Sequence, residues 1–184
     1  MPNLTGKLLV ATPVLTDPNF ARAVVLVCSH DPSGAFGLIL NRPLEGALLS
    51  EHLPGWASHA SSPAVVFLGG PVEPSVAFAL ASIDGGQGGE GFTPIFRGVS
   101  QLDLGLAKPE AHPPGVPIRV FVGYAGWGAG QLDGEVEAEA WFVVEPRADD
   151  AFTETPADLW HAILRRQGGR LAMFAYAPTD PRAN

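Results

Sequence analysis

The chain has 184 residues, of which 22 are glycine and 18 are proline, while 46% are hydrophobic and only 16% are charged. Helix-breaking residues at this frequency exclude a long helical bundle or coiled coil, and the apolar fraction excludes an intrinsically disordered chain. We therefore expect one globular domain with a buried core.

The charge balance is acidic, with 11 basic and 19 acidic side chains and a net charge of −8. Because nucleic acid is recognised through a concentrated basic surface, we expect no direct nucleic-acid binding. The single cysteine, Cys28, excludes an intramolecular disulfide and a multi-cysteine metal site. The sequence shows no signal peptide and no apolar run near the ~18 residues of a membrane span, so we expect a cytoplasmic protein without membrane attachment.

Short apolar runs bounded by glycine and proline predict seven or eight strands and three or four short helices. The predicted strands lie at 8–11, 23–28, 36–40, 64–68, 76–81, 94–99, 118–123 and 140–144. The predicted helices lie at 48–53, 131–139 and 155–167. Their order lacks regular βαβ alternation, which is typical of an α+β fold with one mixed, curved sheet and a few short flanking helices.

Several local features add detail to this prediction. The runs at 23–28 and 36–40 predict a hairpin, and the strand at 76–81 is expected to pair with that at 64–68. Five glycines in residues 85–91 predict a flexible loop. The last helix carries a capping signal, with Thr155 as the cap and Pro156 at the first helical position, and Gly168 is expected to stop it.

Standard catalytic motifs are missing: there is no P-loop, no nucleophile elbow and no histidine pair with metal-ligand spacing. We therefore expect no metal and no cofactor. Cys28 and His30 would share one face of a strand, which would allow a thiolate–imidazolium pair, but a core role for the cysteine is favoured. The alternating carboxylates from Asp133 to Glu139 are typical of a solvated helix face.

The most distinctive segment, residues 123–131, reads Gly-Tyr-Ala-Gly-Trp-Gly-Ala-Gly-Gln. It follows a predicted strand and precedes a predicted helix, so it could present backbone N–H groups to an anion. The alternative is a tight strand-to-helix turn that needs glycine for positive φ, with Trp127 packed over it. A dinucleotide-binding fingerprint is not supported by the spacing.

Five segments together resemble the AlgH/YqgE family of bacterial proteins. They lie at 6–13, 17–22, 37–43, 68–72 and 123–132. The resemblance covers nearly the whole chain and implies a single cytoplasmic α+β domain, at residues 1–177, with a partly barrel-like sheet. Residues 178–184 are expected to be a flexible tail. The family has no established biochemical activity, and one branch carries a provisional label of transcriptional regulator.

These segments also define the candidate ligand-binding residues. The candidates are Asn41, Arg42, Gly69, Gly70, Tyr124, Trp127 and Gln131. Arginine beside asparagine can bind a carboxylate or phosphate with two hydrogen bonds, so a small anionic ligand is expected, although Asn-Arg-Pro can equally be a strand-ending turn.

The sequence thus favours a non-enzymatic regulatory or small-ligand-binding protein. One alternative is a hydrolase that uses carboxylates such as Asp17 and Glu135 with His30, if the fold brings them together. The other alternative is a transcriptional regulator that acts through a protein partner rather than by binding DNA.

Overall fold

The computed structural model describes residues 2–176, and within that range ten strands form one sheet. The strands are β1 (Leu8–Ala11), β2 (Val24–Asp31), β3 (Gly34–Ile39), β4 (Pro43–Leu48), β5 (Val65–Leu68), β6 (Val72–Ala81), β7 (Phe92–Phe96), β8 (Val99–Leu102), β9 (Ile118–Gly128) and β10 (Trp141–Val144). The α-helices are α1 (Leu49–His52), α2 (Gly85–Gly88), α3 (Gln131–Glu137), α4 (Leu159–Gln167) and α5 (Gly169–Phe174). Short 3-10 helices lie at Pro54–His59, Pro109–Ala111, Ala148–Phe152 and Pro156–Asp158.

The sheet is mixed, as predicted. Its main path runs β10-β1-β2-β3-β9-β6-β8-β7 through antiparallel pairs, and the β2–β3 hairpin is confirmed. β5 pairs in parallel with β9, and β4 pairs with β5. The eleven-residue β9 joins the two halves, because its first half pairs with β6 and its second half with β3. The sheet curls into a half-barrel, so the α+β fold with a partly barrel-like sheet is confirmed.

The main hydrophobic core fills the concave side of this half-barrel. Alternate residues of the strands point inward, as the two-residue period of a strand requires, and Phe121 of β9 is one of them. Helix α4 covers the open side with Leu159, Trp160, Ile163 and Leu164. The Trp160 indole N–H donates to the Ala11 carbonyl at 2.9 Å, which ties α4 to β1.

Two smaller cores cover the convex side. The first lies beneath α3 and contains Trp127 and Trp141. The second lies beneath α1 and the 3-10 helix Pro54–His59, and it contains Trp56 and Val120. The convex side is therefore covered by different segments at its two ends.

One cation, Arg119 of β9, is buried inside the fold. Its guanidinium donates to the carbonyls of Ser62, Ala151 and Thr153 at 2.6 to 3.0 Å and lies 4.4 Å from the centre of the Phe67 ring. Burial lowers the pKa of Arg119 to about 10. The side chain therefore acts as a buried connection between β9 and two loops.

The predicted pairing of 76–81 with 64–68 is wrong. β6 pairs with β9 and β8, while β5 pairs with β4 on one side and β9 on the other. The two apolar runs are close in sequence, but β5 runs parallel to β9, and a local pattern does not reveal such a long-range partner.

The strand-to-helix turn predicted within residues 123–131 is also different in part. Gly126 and Gly128 lie inside β9, where Gly126 pairs with Phe36 of β3. The turn is limited to residues 129–130, and Gly130 has a φ of 70° immediately before α3. Within residues 123–131, glycine is thus needed for positive φ at Gly123 and Gly130 rather than along the whole segment.

The helix boundaries show smaller differences. Residues 85–88 form the short helix α2 instead of part of a loop. Thr155 makes no side-chain capping bond, because a 3-10 turn at Pro156–Asp158 precedes α4. Gly168 ends α4 with a φ of 71°, as predicted. The expected tail at 178–184 lies outside the described residues.

Candidate functional site

Gly69 and Gly70 are buried where the chain leaving β5 passes between β3 and β9. The Gly69 N–H donates to the Val122 carbonyl, and the Gly69 carbonyl accepts from Ile39, both at 2.8 Å. A β-carbon at Gly69 would lie 2.3 Å from the Gly123 carbonyl oxygen, and one at Gly70 would lie 2.1 Å from the Tyr124 carbonyl carbon. Only glycine fits this close backbone approach.

Asn41 and Arg42 are engaged with the loop that precedes β2. The Asn41 side chain accepts from the Val24 N–H and donates to the Arg22 carbonyl, both at 2.9 Å. The Arg42 guanidinium donates to the Ala21 carbonyl at 2.8 Å. These bonds join the end of β3 to the start of β2, so the asparagine binds a distant backbone segment rather than its own turn.

Glu135 of α3 is the acceptor for two tryptophans. Its Oε2 accepts from the indole N–H groups of Trp127 and Trp141, each at 2.9 Å, and its Oε1 accepts from Gln131 at 3.0 Å. Gln131 in turn accepts from the Gly128 N–H at 3.0 Å. The prediction of a solvated carboxylate face is wrong for Glu135, since buried indoles require an acceptor.

Tyr124 and Trp127 line an open pocket of about 530 Å³, which we call the hairpin pocket. The β2–β3 hairpin contributes polar residues to the same pocket, namely Ser29, Asp31 and Ser33, and its other aromatic residue is Phe36. This volume lies in the range of small-molecule sites. Two of the seven predicted site residues thus meet in one concavity, whereas Asn41, Arg42, Gly69, Gly70 and Gln131 do not line it.

Sequence reasoning missed the hairpin side of this pocket. Asp31 carries the only charge in its lining, and hydrogen bonds from the side chain and backbone of Ser33 hold the pKa of this carboxyl below its usual value. The Phe36 and Tyr124 rings pack with their centres 5.1 Å apart. The sequence does contain one signal for these residues. At the end of β2 the residues change from apolar to polar, which indicates that the side chains there leave the core.

The Cys28–His30 pair does not form. A β-bulge shifts the register between Val27 and Ser29, so Cys28 lies in the concave core while His30 lies near Leu4 on the other side. Burial raises the pKa of the Cys28 thiol. The His30 Nδ1 accepts from the Leu4 N–H at 3.1 Å, and its Nε2 lies 3.7 Å from Asp133.

The carboxylates of the hydrolase alternative are occupied elsewhere. Asp17 accepts from the Asn19 N–H at 2.8 Å within its own turn, and Glu135 binds the two indoles. Across residues 2–176, no hydrogen bond joins any two of Asp17, His30 and Glu135. The same range contains no group of three or more histidine, cysteine or carboxylate side chains placed to hold a metal ion.

No helix within the described part of the chain is both long and apolar enough to cross a membrane.

Comparisons with known proteins agree with this architecture. A UPF0301 protein from Streptomyces coelicolor is 46% identical over 187 residues, which cover 99% of this chain and 96% of the relative. One from Thermobifida fusca is 44% identical over 191 residues, with coverage of 99% and 96%.

Two solved structures are similar along nearly their whole length. A crystal structure of a protein from Corynebacterium diphtheriae superposes with a TM-score of 0.87 at 28% identity, covering 95% of this chain and 92% of that one. The solution structure of AlgH from Pseudomonas aeruginosa gives a TM-score of 0.67 at 27% identity, with coverage of 96% and 95%. The family model described as AlgH-like matches residues 8–172, from β1 into α5. The chain therefore belongs to the AlgH-like family of bacterial UPF0301 proteins, whose biochemical function is uncharacterised.

Proposed function

We propose that this protein is a non-enzymatic small-ligand-binding protein whose ligand occupies the hairpin pocket. The observation that carries the proposal is the meeting of Tyr124 and Trp127 with the polar side chains of the β2–β3 hairpin in one concavity of about 530 Å³. Tyr124 and Trp127 come from the family segment at 123–132, and the polar residues come from the neighbouring β2–β3 hairpin, whose β3 pairs with β9. Ligand sites commonly combine aromatic walls with a few polar groups in this way.

The lining favours a small organic cation over the anion expected from the sequence. The only charged lining residue is Asp31, an exposed carboxylate that is ionised at neutral pH, and hydrogen bonds from Ser33 lower its pKa further. Phe36 and Tyr124 add aromatic rings, and a cation is attracted to the face of such a ring. An ammonium group between this carboxylate and these rings would be well accommodated, whereas an anion would be repelled.

The aromatic wall is held rigidly, which reduces the entropy lost on binding. The Trp127 ring packs in the core beneath α3, where it bonds to Glu135 and lies 6.4 Å from the Phe20 ring, so it anchors the strand that carries Tyr124. Tyr124 packs against both Phe36 and Phe78. The pocket therefore requires little side-chain ordering before a ligand binds.

Isothermal titration with putrescine and choline, compared with succinate and butyrate, tests this proposal. We expect saturable binding of at least one amine, no binding of the carboxylates, and at least tenfold weaker amine binding by Asp31→Asn, which keeps a hydrogen-bond acceptor for the Ser33 N–H. Glu137→Gln is the matched control, since Glu137 is an exposed carboxylate in α3. Absence of amine binding, preference for carboxylates, or equal affinity of Asp31→Asn would refute the proposal.

A cytoplasmic location belongs to the same proposal, and regulation of transcription through a protein partner stays the alternative to it. The lone cysteine is buried in the concave core, which supports a reducing compartment because no disulfide is needed.

A further inference from the structure

A second cavity lies on the convex side of the sheet, away from the hairpin pocket. It has a volume of about 290 Å³, lies between the sheet and the segment that carries β4 and α1, and is partly open to solvent. Aliphatic side chains dominate its lining, and His52 is the one lining residue with a polar side chain. We call it the aliphatic cavity.

The floor of the aliphatic cavity is part of the sheet. Val66 of β5 and Val120 of β9 are buried, and Val122 of β9 is half-buried beside them. Ala77 of β6 pairs with Val122 and lies at the exposed edge of the floor. Strand pairing on both sides of β9 fixes these positions, so the floor is preformed.

The cover of the cavity is joined to the sheet at only a few points. β4 pairs with β5 at Pro43 and at Leu48, and the register between these positions is irregular. Leu44, Ala47 and Leu53 point into the cavity from this cover. Between them Gly46 has a φ of 83°, and no atom lies within 4 Å of the place where its β-carbon would be. Leu44, Ala47 and Leu53 pack against the core beneath α1, so the cover contributes apolar side chains to the cavity.

The size and lining of the cavity define its ligand. An engineered apolar cavity of about 150 Å³ holds benzene, so a cavity of about 290 Å³ accommodates roughly two such rings. One aliphatic side chain of a partner protein would leave much of this volume empty. With a single polar side chain present, a ligand with many polar groups would lose its hydration without gaining hydrogen bonds.

We propose that the aliphatic cavity binds a small, hydrocarbon-rich molecule that carries a single hydroxyl or carboxyl group near His52. A bicyclic aromatic ring or an alkyl chain of about eight carbons has the required size. This site is separate from the hairpin pocket, and its ligand belongs to a different chemical class.

Titration of methyl-labelled protein with 1-naphthol, followed by NMR, tests this proposal. We expect saturable binding with a Kd below about 1 mM and the largest shifts at the methyl groups of Val66, Val120 and Val122. Ala77→Phe adds a ring at the exposed edge of the cavity and should weaken binding at least tenfold. Val143→Phe is the matched control, because Val143 is a 37% exposed strand residue in β10, and it should bind 1-naphthol like the wild type.

A second variant keeps the test decisive if Ala77→Phe does not fold. In that case Val122→Phe, which fills the cavity from the adjacent strand, should show the same loss while keeping the wild-type circular dichroism spectrum. Amine binding at the hairpin pocket should be unchanged in either variant, which separates this proposal from the proposed function. The proposal is overturned if wild-type protein binds neither 1-naphthol nor octanol, if a folded cavity variant binds as wild type does, or if the shifts lie elsewhere.

Discussion

The contact between Glu135 and two tryptophans leads to a specific prediction about stability. Trp127 and Trp141 are only 6% and 4% exposed, and both indole N–H groups donate to the same carboxylate oxygen. Glu135→Ala leaves two buried donors without a partner, and each costs roughly 1–3 kcal/mol. We therefore expect the free energy of unfolding to fall by about 2–6 kcal/mol. Glu135→Gln keeps one acceptor oxygen for the two indoles but loses the charge assistance and the acceptor of the exposed Gln131 amide, so about 1–2 kcal/mol is expected.

Urea denaturation followed by far-UV circular dichroism measures these differences. Glu137→Ala, an exposed change on the same helix, is the control and should lie within about 0.5 kcal/mol of the wild type. Trp141→Phe removes one of the two indole donors. It should therefore lower the free energy of unfolding less in Glu135→Ala than in the wild type, with a coupling energy of about 1–2 kcal/mol between the two positions. The reasoning fails if Glu135→Ala is as stable as Glu137→Ala or if this coupling is zero.

Three further predictions concern other positions. Gly69→Ala places a β-carbon 2.3 Å from the Gly123 carbonyl oxygen and should lower the free energy of unfolding by more than about 3 kcal/mol. Gly134→Ala, in α3 with no atom within 4 Å, should raise it by about 1 kcal/mol, and equal urea midpoints for the two variants would contradict this reasoning. Arg119→Met leaves three carbonyls unpaired and should cost about 2–4 kcal/mol in urea denaturation; a neutral result would contradict that role. Burial lowers the pKa of His112, so the folded state favours the neutral ring, and stability should decrease as the pH falls below about 6.5. The melting temperature should therefore fall less between pH 7.5 and pH 5 in His112→Gln than in the wild type. An equal fall in the two proteins would contradict the role given to His112.

Much of the secondary structure could be predicted because its signals are local. Uninterrupted apolar runs bounded by glycine and proline placed β1, β2, β5 and β10 to within one to three residues at each end. A glycine with positive φ ended α4 at Gly168, as its sequence position indicated. Strand pairing was harder to predict from the sequence, because the parallel pairing of β5 with β9 joins Phe67 to Phe121, which lie far apart in the chain.

The candidate site was predictable only in part for a similar reason. Tyr124 and Trp127 were identified from a family segment, but the polar residues beside them come from a hairpin about 90 residues earlier in the chain. Asn41 and Arg42 have side chains suited to an anion, and no local pattern shows that backbone carbonyls and an N–H group already engage them. The partners of a polar side chain are set by contacts that form only when the sheet curls.

The sequence by itself determined the fold class, the family and the glycine that ends α4 at Gly168. These properties depend on backbone sterics and on apolar periodicity, which act within a few residues. The tertiary structure alone decided which polar groups are satisfied and which remain available to a ligand. Glu135 became the acceptor for two indoles, while Asp31 was left at the mouth of an open pocket. That distinction follows from burial and hydrogen bonding between distant segments, because a buried polar group must find a partner wherever the fold places one.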